Sequence, residues 1–418
     1  MIARVAVLWL FLAALAGLLT AMPLRLCPRP AFDAAVNARR IARIPVTRLL
    51  SAPPRELVDA SRQREAACVD GYGRANALLA MAAMLLAALA WLWLGWHRAL
   101  ERLLPGAPRF VRYGCVGALL AAWLWLWGLP FDVAGLVAAR GLGLSHETAA
   151  TFLRDEAASA ALAAVLGAIF AQGLGVLWRR GWSVILASAA LPLFVIGAIV
   201  VPLWIAPIFN AYRPLPPSPL RAAIEQEARR AGFTGAQIYE TNLSAQSEEA
   251  NAFVFGFWKT ERIVLGDTLL RGYSREEILF VLAHEIGHAV HGDVYRGVAW
   301  GWLFTAVGLA LTELVEPRRL RALPPESRAP ALLAIALALS VAVQPLANAI
   351  SRGVEHRADA YALTLDHDRA AGVRTFVRLT DEGLAQLCPP RWAVIAFGTH
   401  PPLGSRIAFF QGSRDPCR

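Results

Sequence analysis

Long apolar runs alternate with shorter polar segments along most of this chain. A helix needs about 20 predominantly apolar residues to cross the hydrocarbon core of a bilayer. Seven runs approach or reach that length, at residues 5–24, 75–96, 114–129, 157–177, 182–205, 297–314 and 331–350. The first run also resembles a signal peptide, but no convincing small-residue cleavage site follows it, so we expect an uncleaved span. The pattern predicts an α-helical membrane protein with about seven transmembrane helices.

Composition and charge agree with a membrane protein. Hydrophobic residues make up 57% of the chain, whereas soluble domains have about 45–50%. The net charge of +10 comes mainly from arginines that cluster beside the apolar runs, which is typical of contacts with anionic lipid headgroups. The sequence contains no phosphate-binding loop, nucleotide fingerprint or interleaving of aromatic and basic residues. We therefore expect the lipid bilayer, and no nucleic acid, among the partners.

The polar segments divide the chain into four parts. Residues 1–206 hold the first five spans with a polar loop at 25–74, and residues 207–296 form a segment outside the bilayer. Spans six and seven follow at 297–350, and residues 351–418 form a second outer segment. Because two spans separate the two outer segments, both lie on the same side of the membrane.

A histidine pair marks the first outer segment. His284, Glu285 and His288 form an HExxH pattern, which on a helix places the two imidazoles on one face, where both can bind one zinc ion. Ser274 and Glu277 have the spacing of a capping box, which predicts a helix from about residue 275 to about residue 293. Five-residue patterns of this kind also occur by chance in proteins that bind no metal.

A third ligand candidate lies in the second outer segment. Glu355 and Asp359 form an ExxxD pair on another predicted helix, and a catalytic zinc site of the His2Glu type needs one such carboxylate. The span count brings this segment to the same side as the histidines. We therefore predict one zinc ion per chain, bound by His284, His288 and Glu355.

Two short runs before the histidine helix predict a β-hairpin. Residues 251–258 and 261–265 are rich in aromatic and β-branched side chains. An exposed strand of such a hairpin can pair with an extended peptide, which would place a scissile carbonyl over the metal. A hairpin that merely packs on the histidine helix explains the pattern equally well.

Two further histidines differ in what they predict. His400 precedes two prolines, which fix the backbone and suit a side chain held over a site, although a histidine in this setting is commonly a surface residue. His291 lies about one turn beyond His288, and we do not expect it to be a fourth ligand, because a catalytic zinc keeps one position open.

Several ordered motifs together resemble the type I CAAX prenyl proteases. The similarity spans roughly residues 206–410 and is strongest at 207–215, 251–270, 281–290, 351–359 and 399–407. The resemblance implies an integral-membrane zinc endopeptidase whose seven transmembrane helices enclose a chamber, with a small α+β zincin-like metalloprotease part.

The resemblance also assigns the central groups by position. His284, His288 and Glu355 correspond to the zinc ligands, and Glu285 corresponds to the general base.

Four other positions match supporting residues of that family. Asn251 and His400 match residues that steady the substrate and the developing oxyanion, Asp359 matches a buried acid beside the ligands, and Arg406 matches an arginine near the active site. The chain departs from the family at 244–250, which is acidic where relatives often carry a basic, serine-rich run. This departure changes the charge beside the expected substrate strand.

We therefore expect a membrane-embedded zinc metalloendopeptidase that hydrolyses proteins or peptides near the membrane. One alternative keeps the protease and assigns it to quality control of membrane proteins. A second alternative is a non-enzymatic membrane scaffold with a structural metal, but a scaffold would have no use for Glu285.

The sequence gives conflicting evidence about the side of the membrane on which the site lies. The resemblance implies a bacterial inner-membrane protein whose catalytic side faces the cytoplasm. Arginine-rich loops at 96–112, 179–181 and 318–328 lie on the opposite side, and the positive-inside rule would make those loops cytoplasmic. The arginines of the 25–74 segment dilute this bias, so the resemblance favours a cytoplasmic site.

The cysteines bear on the same question. Cys27 and Cys68 share one outer segment, Cys388 and Cys417 share another, and all four lie on the catalytic side. Disulfides persist outside the cytosol and are rare within it. A bridge between Cys27 and Cys68 would therefore fit an extracytoplasmic site, whereas free thiols would fit a cytoplasmic one.

Overall fold

The fold is taken from a computed structural model, and the structure describes residues 2–95, 104, 106–255 and 262–418. Its first half is helical, with α1 (Ile2–Leu26), α2 (Ala34–Ala42), α3 (Val46–Ser51), α4 (Pro54–Leu57), α5 (Ala60–Leu94), α6 (Arg109–Gly141), α7 (Ala149–Ala171), α8 (Trp182–Val200) and α9 (Ala206–Phe209). A 3-10 turn, Gln172–Val176, extends α7, and a π-helical turn, Val201–Ile205, joins α8 to α9.

The second half combines a small sheet with helices. Its elements are β1 (Tyr212–Pro214), α10 (Pro219–Arg230), β2 (Gln237–Thr241), β3 (Ala252–Phe255), β4 (Arg262–Gly266), α11 (Asp267–Gly272), α12 (Arg275–Val290), α13 (Asp293–Val315), α14 (Arg318–Arg321), α15 (Pro325–Leu365), α16 (Arg369–Glu382), α17 (Arg391–Phe397) and α18 (Leu403–Gln411).

Seven helices among the described residues are long and apolar enough to cross a membrane: α1, α5, α6, α7, α8, α13 and α15. Large apolar side chains on these helices, such as Phe11, Leu153 and Leu314, are exposed on the protein surface, where a bilayer would cover them. Each predicted apolar run falls on one of these helices, which confirms the seven-span prediction. Trp96, the last residue of the second run, lies outside the described residues, as do Arg98 and Arg102 of the following loop.

The polar segment predicted between the first two apolar runs, at 25–74, is mostly helical. The Asp59 side chain accepts hydrogen bonds from the backbone N–H groups of Ser61 and Arg62, which starts α5 well before its apolar part. Arg62 is buried, pairs with Glu65 at 2.8 Å and donates to the Asp381 carbonyl at 3.0 Å. These polar residues therefore pack on the second half of the chain instead of facing water.

The sheet has the strand order β1-β2-β4-β3, so β3 lies at an edge. β3 and β4 are antiparallel, with Ala252 opposite Leu265 and Phe255 opposite Arg262, as the predicted hairpin requires. The connection at 256–261 lies outside the described residues. β3 packs beside α12, which brings the sheet edge next to the histidine helix.

The histidine helix begins where the sequence predicts. Both halves of the capping box form, with Ser274 Oγ accepting from the Glu277 N–H and the Glu277 carboxylate accepting from the Ser274 N–H. The helix ends at Val290, slightly before the predicted end, because Gly292 adopts a left-handed conformation with φ of 63°. The chain then turns directly into the transmembrane helix α13.

Helix α15 carries the third ligand candidate out of the membrane. It is 41 residues long, and its final turns pack against α12, where Ala358 and Tyr361 lie against Gly287. Phe280 packs edge to face against both Phe376 and Phe410, and the Phe376 and Phe410 rings are inclined by 30° to each other. The ring centroids lie 4.9–5.7 Å apart, and the three side chains connect α12, α16 and α18. The core therefore fixes four elements around one site.

Candidate metal and catalytic site

Three predicted ligand atoms converge on one point. The Nε2 atoms of His284 and His288 are 3.2 Å apart, and they lie 3.3 Å and 3.6 Å from the two carboxylate oxygens of Glu355. Tetrahedral zinc with bonds of about 2.0–2.1 Å separates its ligand atoms by about 3.3 Å. The spacing of the three side chains therefore fits zinc. Among the described residues, these three form a group that could hold a metal ion.

The other nitrogen of each imidazole faces a carboxylate. His284 Nδ1 lies 3.0 Å from Asp359, and His288 Nδ1 lies 3.0 Å from Asp293. A hydrogen bond at Nδ1 fixes the ring orientation and the tautomer, which leaves Nε2 free to bind a metal. Both imidazoles are therefore oriented for the same ion.

Asp293, which faces His288, was not predicted as a site residue from the sequence. This carboxylate is 3.2 Å from Arg357 and 3.8 Å from Arg296, so it is held by two guanidinium groups as well as by His288. Its sequence signal was weak, because an acid in the first turn of a helix is common. The left-handed Gly292 turns it back toward the histidine.

Arg406 holds the carboxylate that faces His284. Its Nε and Nη2 atoms donate to the two oxygens of Asp359 at 2.8 Å and 2.6 Å, and its guanidinium lies 4.1 Å from the centre of the Phe376 ring. Both Arg406 and Asp359 are buried. The structure thus places this predicted pair directly behind the ligands.

The protonation of His284 reflects these carboxylates. Burial alone would lower its pKa, but the hydrogen bonds to Asp359 and Glu355 outweigh burial and raise the pKa to about 9. The metal-free ring is therefore protonated at pH 7, and metal binding must displace that proton.

Glu285 lies in a cavity of about 340 Å³ that also contains the three ligand candidates. Burial raises the pKa of its carboxyl, while the neighbouring His284 and His288 act in the opposite direction. Among the described residues, Glu285 is not part of the group of side chains that could hold a metal ion. It is a carboxylate available beside the metal position.

The remaining predicted groups line the same cavity. His400 Nε2 is 3.4 Å from Glu355, and partial burial lowers the pKa of this imidazole although Glu355 acts to raise it. Asn251 immediately precedes β3 and accepts a hydrogen bond from Gly266 through its backbone carbonyl at 2.9 Å. His291, which was not expected to be a ligand, has its Nδ1 2.7 Å from the Gly287 carbonyl and lies against Tyr361.

Comparison with known proteins agrees with this geometry. Residues 214–413 match the model of peptidase family M48, and residues 45–211 match that of the CAAX prenyl protease N-terminal region with five membrane helices. A protein from Bacillus subtilis described as an uncharacterized metalloprotease is 31% identical over 291 residues, which cover 67% of this chain and 68% of that protein.

The chain belongs to the type I CAAX prenyl protease family. A CAAX prenyl protease 1 homolog from Oryza sativa is 29% identical and covers 68% of this chain and 70% of its own length. The crystal structure of S. mikatae Ste24p has the same fold, with a TM-score of 0.72, 20% identity and coverage of 95% of this chain and 98% of that one.

Membership of the CAAX prenyl protease family explains the two halves of the chain. The metal-ligand cluster and its supporting residues fall within the M48 region, and α5 to α8 fall within the membrane region. This chain is therefore a membrane metalloprotease similar to CAAX prenyl proteases, with peptides or proteins as its substrates.

Proposed function

We propose that the chain is a zinc endopeptidase that binds one zinc ion through His284, His288 and Glu355. The convergence of their three donor atoms, with separations close to those around tetrahedral zinc, carries this proposal. Bound zinc would polarise the scissile carbonyl and lower the pKa of a water to about 7.

In this proposal Glu285 moves the protons. Its carboxylate takes a proton from the attacking water and then passes the proton to the leaving amine. Burial raises the pKa of the Glu285 carboxyl above its ordinary value. A higher pKa helps this group both to accept a proton and to donate it again. No described ligand contact competes for this carboxylate.

Asn251 and His400 are proposed to stabilise the substrate carbonyl as negative charge develops on it. Both residues line the cavity, Asn251 immediately before β3 and His400 immediately before Pro401 and Pro402. The lowered pKa of His400 favours a neutral imidazole, which can still donate one hydrogen bond. Such donors are worth about 2.7–4 kcal/mol each in other hydrolases.

The edge strand β3 is proposed to bind the substrate backbone. The Asn251 carbonyl points toward β4, and backbone groups alternate along an antiparallel strand. Ala252 and Val254 therefore direct their N–H and C=O groups to the free edge, and no strand among the described residues pairs there. An extended peptide added at this edge would pass over the metal position.

Hydrolysis of a reporter peptide by the purified full chain tests this function. We expect activity that a chelator removes and zinc restores. Activity that persists in chelator, with no bound metal, would exclude the proposed chemistry, and a zinc-loaded chain without activity would favour the scaffold alternative.

We propose that the catalytic side faces away from the cytoplasm, which is opposite to the orientation that the resemblance favoured. The structure joins Cys27 to Cys68 and Cys388 to Cys417, with Cα atoms 5.7 Å and 5.1 Å apart. Both bridges lie on the side that carries the site. Disulfides form and persist in oxidising compartments and are rare in the cytosol.

The arginine-rich loops support this orientation independently. Arg179, Arg180, Arg318 and Arg319 lie on the opposite side from the site, where the positive-inside rule places the cytoplasm. Substrates on the extracytoplasmic side would be exported or membrane proteins. This orientation gives weight to quality control of membrane proteins as the second candidate function.

A further inference from the structure

Helix α17 contacts α15 at the end of the apolar part of that transmembrane helix. Asn348, near the end of the apolar part of α15, donates to the Ile395 and Ala396 carbonyls at 3.3 Å and 2.8 Å. Arg352, just beyond that apolar part, donates to the Val394 carbonyl at 2.9 Å. The contact therefore forms where α15 leaves the bilayer.

A contact with a second transmembrane helix, α5, places α17 at the same depth relative to the bilayer. Arg74 is the last residue before the apolar part of α5, and its guanidinium lies 5.4 Å from the centre of the Trp392 ring. Trp392 is 56% exposed and Ile395 is 49% exposed, so α17 presents a tryptophan and an aliphatic side chain outward. Tryptophan is enriched at this depth, between hydrocarbon and water.

A large basic cavity lies beside α17. Its volume is about 1030 Å³, and its lining includes five arginines, Arg352, Arg391, Arg406, Arg414 and Arg418, but only two aspartates, Asp359 and Asp415. Arg406 pairs with Asp359, and Arg418 lies 3.3 Å from Asp415. Arg391 and Arg414 have no ion pair among the described residues, and Arg352 donates only to the backbone carbonyls of Val394 and Gly398 there.

The Cys388–Cys417 disulfide holds the segments of two of these arginines, Arg391 and Arg414, beside the same cavity. Cys388 comes three residues before Arg391, and Cys417 comes three residues after Arg414. Gly404 packs against both sulfurs, since an added Cβ there would lie 2.8 Å and 2.9 Å from them. The bridge thus holds the C-terminal segment beside α17.

We propose that this cavity binds the phosphodiester headgroup of an anionic phospholipid. Guanidinium groups bind phosphate oxygens well, and basic pockets beside transmembrane helices at the membrane surface favour anionic headgroups. Val394, Ile395 and Phe409 supply apolar lining for the start of the acyl chains. Asp359 and Arg406 also line the cavity, so the lipid would bind next to the pair that supports His284.

Lipid selectivity of the full chain in nanodiscs tests this site. Spin-labelled phosphatidylglycerol is compared with spin-labelled phosphatidylcholine, for the wild type and for the double variant Arg391→Gln/Arg414→Gln. We expect the preference for phosphatidylglycerol to fall by about fivefold for each arginine removed. The variant Arg391→Lys/Arg414→Lys keeps the charge and should retain most of the preference.

The control is Arg39→Gln/Arg43→Gln, which removes two exposed arginines on the same side but away from this cavity. An equal loss of the preference for phosphatidylglycerol in this control would show that general surface charge causes the effect. That result would overturn the proposed site. An unchanged preference in Arg391→Gln/Arg414→Gln would overturn it as well.

Two further measurements distinguish a bound lipid from other ligands of the cavity. Displacement of the labelled lipid by millimolar glycerol 3-phosphate would assign the cavity to a soluble phosphate instead of a lipid. A raised KM for the reporter peptide, with unchanged lipid preference, would assign it to substrate. Either result would overturn the lipid proposal without affecting the proposed peptidase function.

Discussion

Gly287 of the histidine helix faces Ala358 of α15 at a distance that leaves almost no room for a side chain. A Cβ added to Gly287 would lie 3.2 Å from the Cα and carbonyl oxygen of Ala358 and 3.1 Å from the Cβ of Tyr361. Such close approach of two helices places Glu355 within reach of the two histidines. The glycine inside the HExxH motif is therefore explained by packing.

Gly287→Val should separate these helices. The branched side chain cannot fit at this contact, and overpacking of this kind typically costs about 1–3 kcal/mol. We expect a lower melting temperature and weaker zinc binding, measured by thermal unfolding and metal titration. Gly353→Val is the matched control, because nothing lies within 4 Å of a Cβ added there. Normal zinc affinity in Gly287→Val would show that the contact does not position the ligands.

Removal of a ligand and removal of the base should have different effects. Glu355→Ala and His288→Ala should lose the zinc ion, whereas Glu285→Gln should keep about one zinc per chain and lose turnover, because the proposed role of Glu285 is that of a base and not of a ligand. Metal analysis and peptide hydrolysis on the same preparations check this. Retained peptidase activity in Glu285→Gln would refute its role.

Asn251→Ala and His400→Ala should affect catalysis without affecting the metal. Each should lower kcat by about 10²–10³, since a donor to the oxyanion acts mainly in the transition state. Steady-state kinetics and metal analysis distinguish the possibilities. A change in KM alone would make the residue a binding group, and loss of zinc would make it part of the metal site.

Stability should depend on pH through Glu227 of α10. Burial and the nearby Asp366 raise the pKa of Glu227 to about 7. Because the folded pKa lies above the unfolded value of about 4.3, the folded state binds more protons between these values, and stability falls as pH rises from about 4 to about 7. One carboxylate oxygen, Oε1, is buried without a hydrogen-bond partner among the described residues.

Glu227→Gln should therefore raise the melting temperature at pH 8 and have little effect near pH 4. The control Glu225→Gln removes a partly exposed carboxylate of the same helix, and its surface ion pairs are worth little. Thermal unfolding across this pH range measures both. A melting temperature for Glu227→Gln that shifts equally at pH 4 and pH 8 would contradict the titration of this carboxyl.

Thiol labelling of intact cells should report the orientation. We expect a membrane-impermeant maleimide to modify Cys388 or Cys417 only after reduction, because the two are bridged and the proposed orientation places them outside the cytoplasm. Single-cysteine variants of each pair identify the reacting residue. Thiols that stay protected from the reagent after reduction, yet react once the cells are permeabilised, would restore the cytoplasmic orientation.

The sequence by itself determined the membrane class and the histidine helix, and it predicted the three ligand candidates that the fold brings together. Seven apolar runs fix the number of crossings, and two crossings between His288 and Glu355 bring these residues to one side. The capping box at Ser274 and Glu277 also sets the helix start from local chemistry alone. These features depend on periodicity, length and near neighbours, which are all visible along a chain.

Tertiary structure decided what depends on contacts between distant segments. Asp293 became a partner of His288 only because Gly292 turns the chain, and Arg62 joined Asp381 across 319 positions of sequence. The basic cavity likewise combines Arg352 of α15 with Arg391 and Arg414, which a disulfide holds together. Pairings of this kind arise when the core brings helices together, and no local pattern records which side chains will then meet.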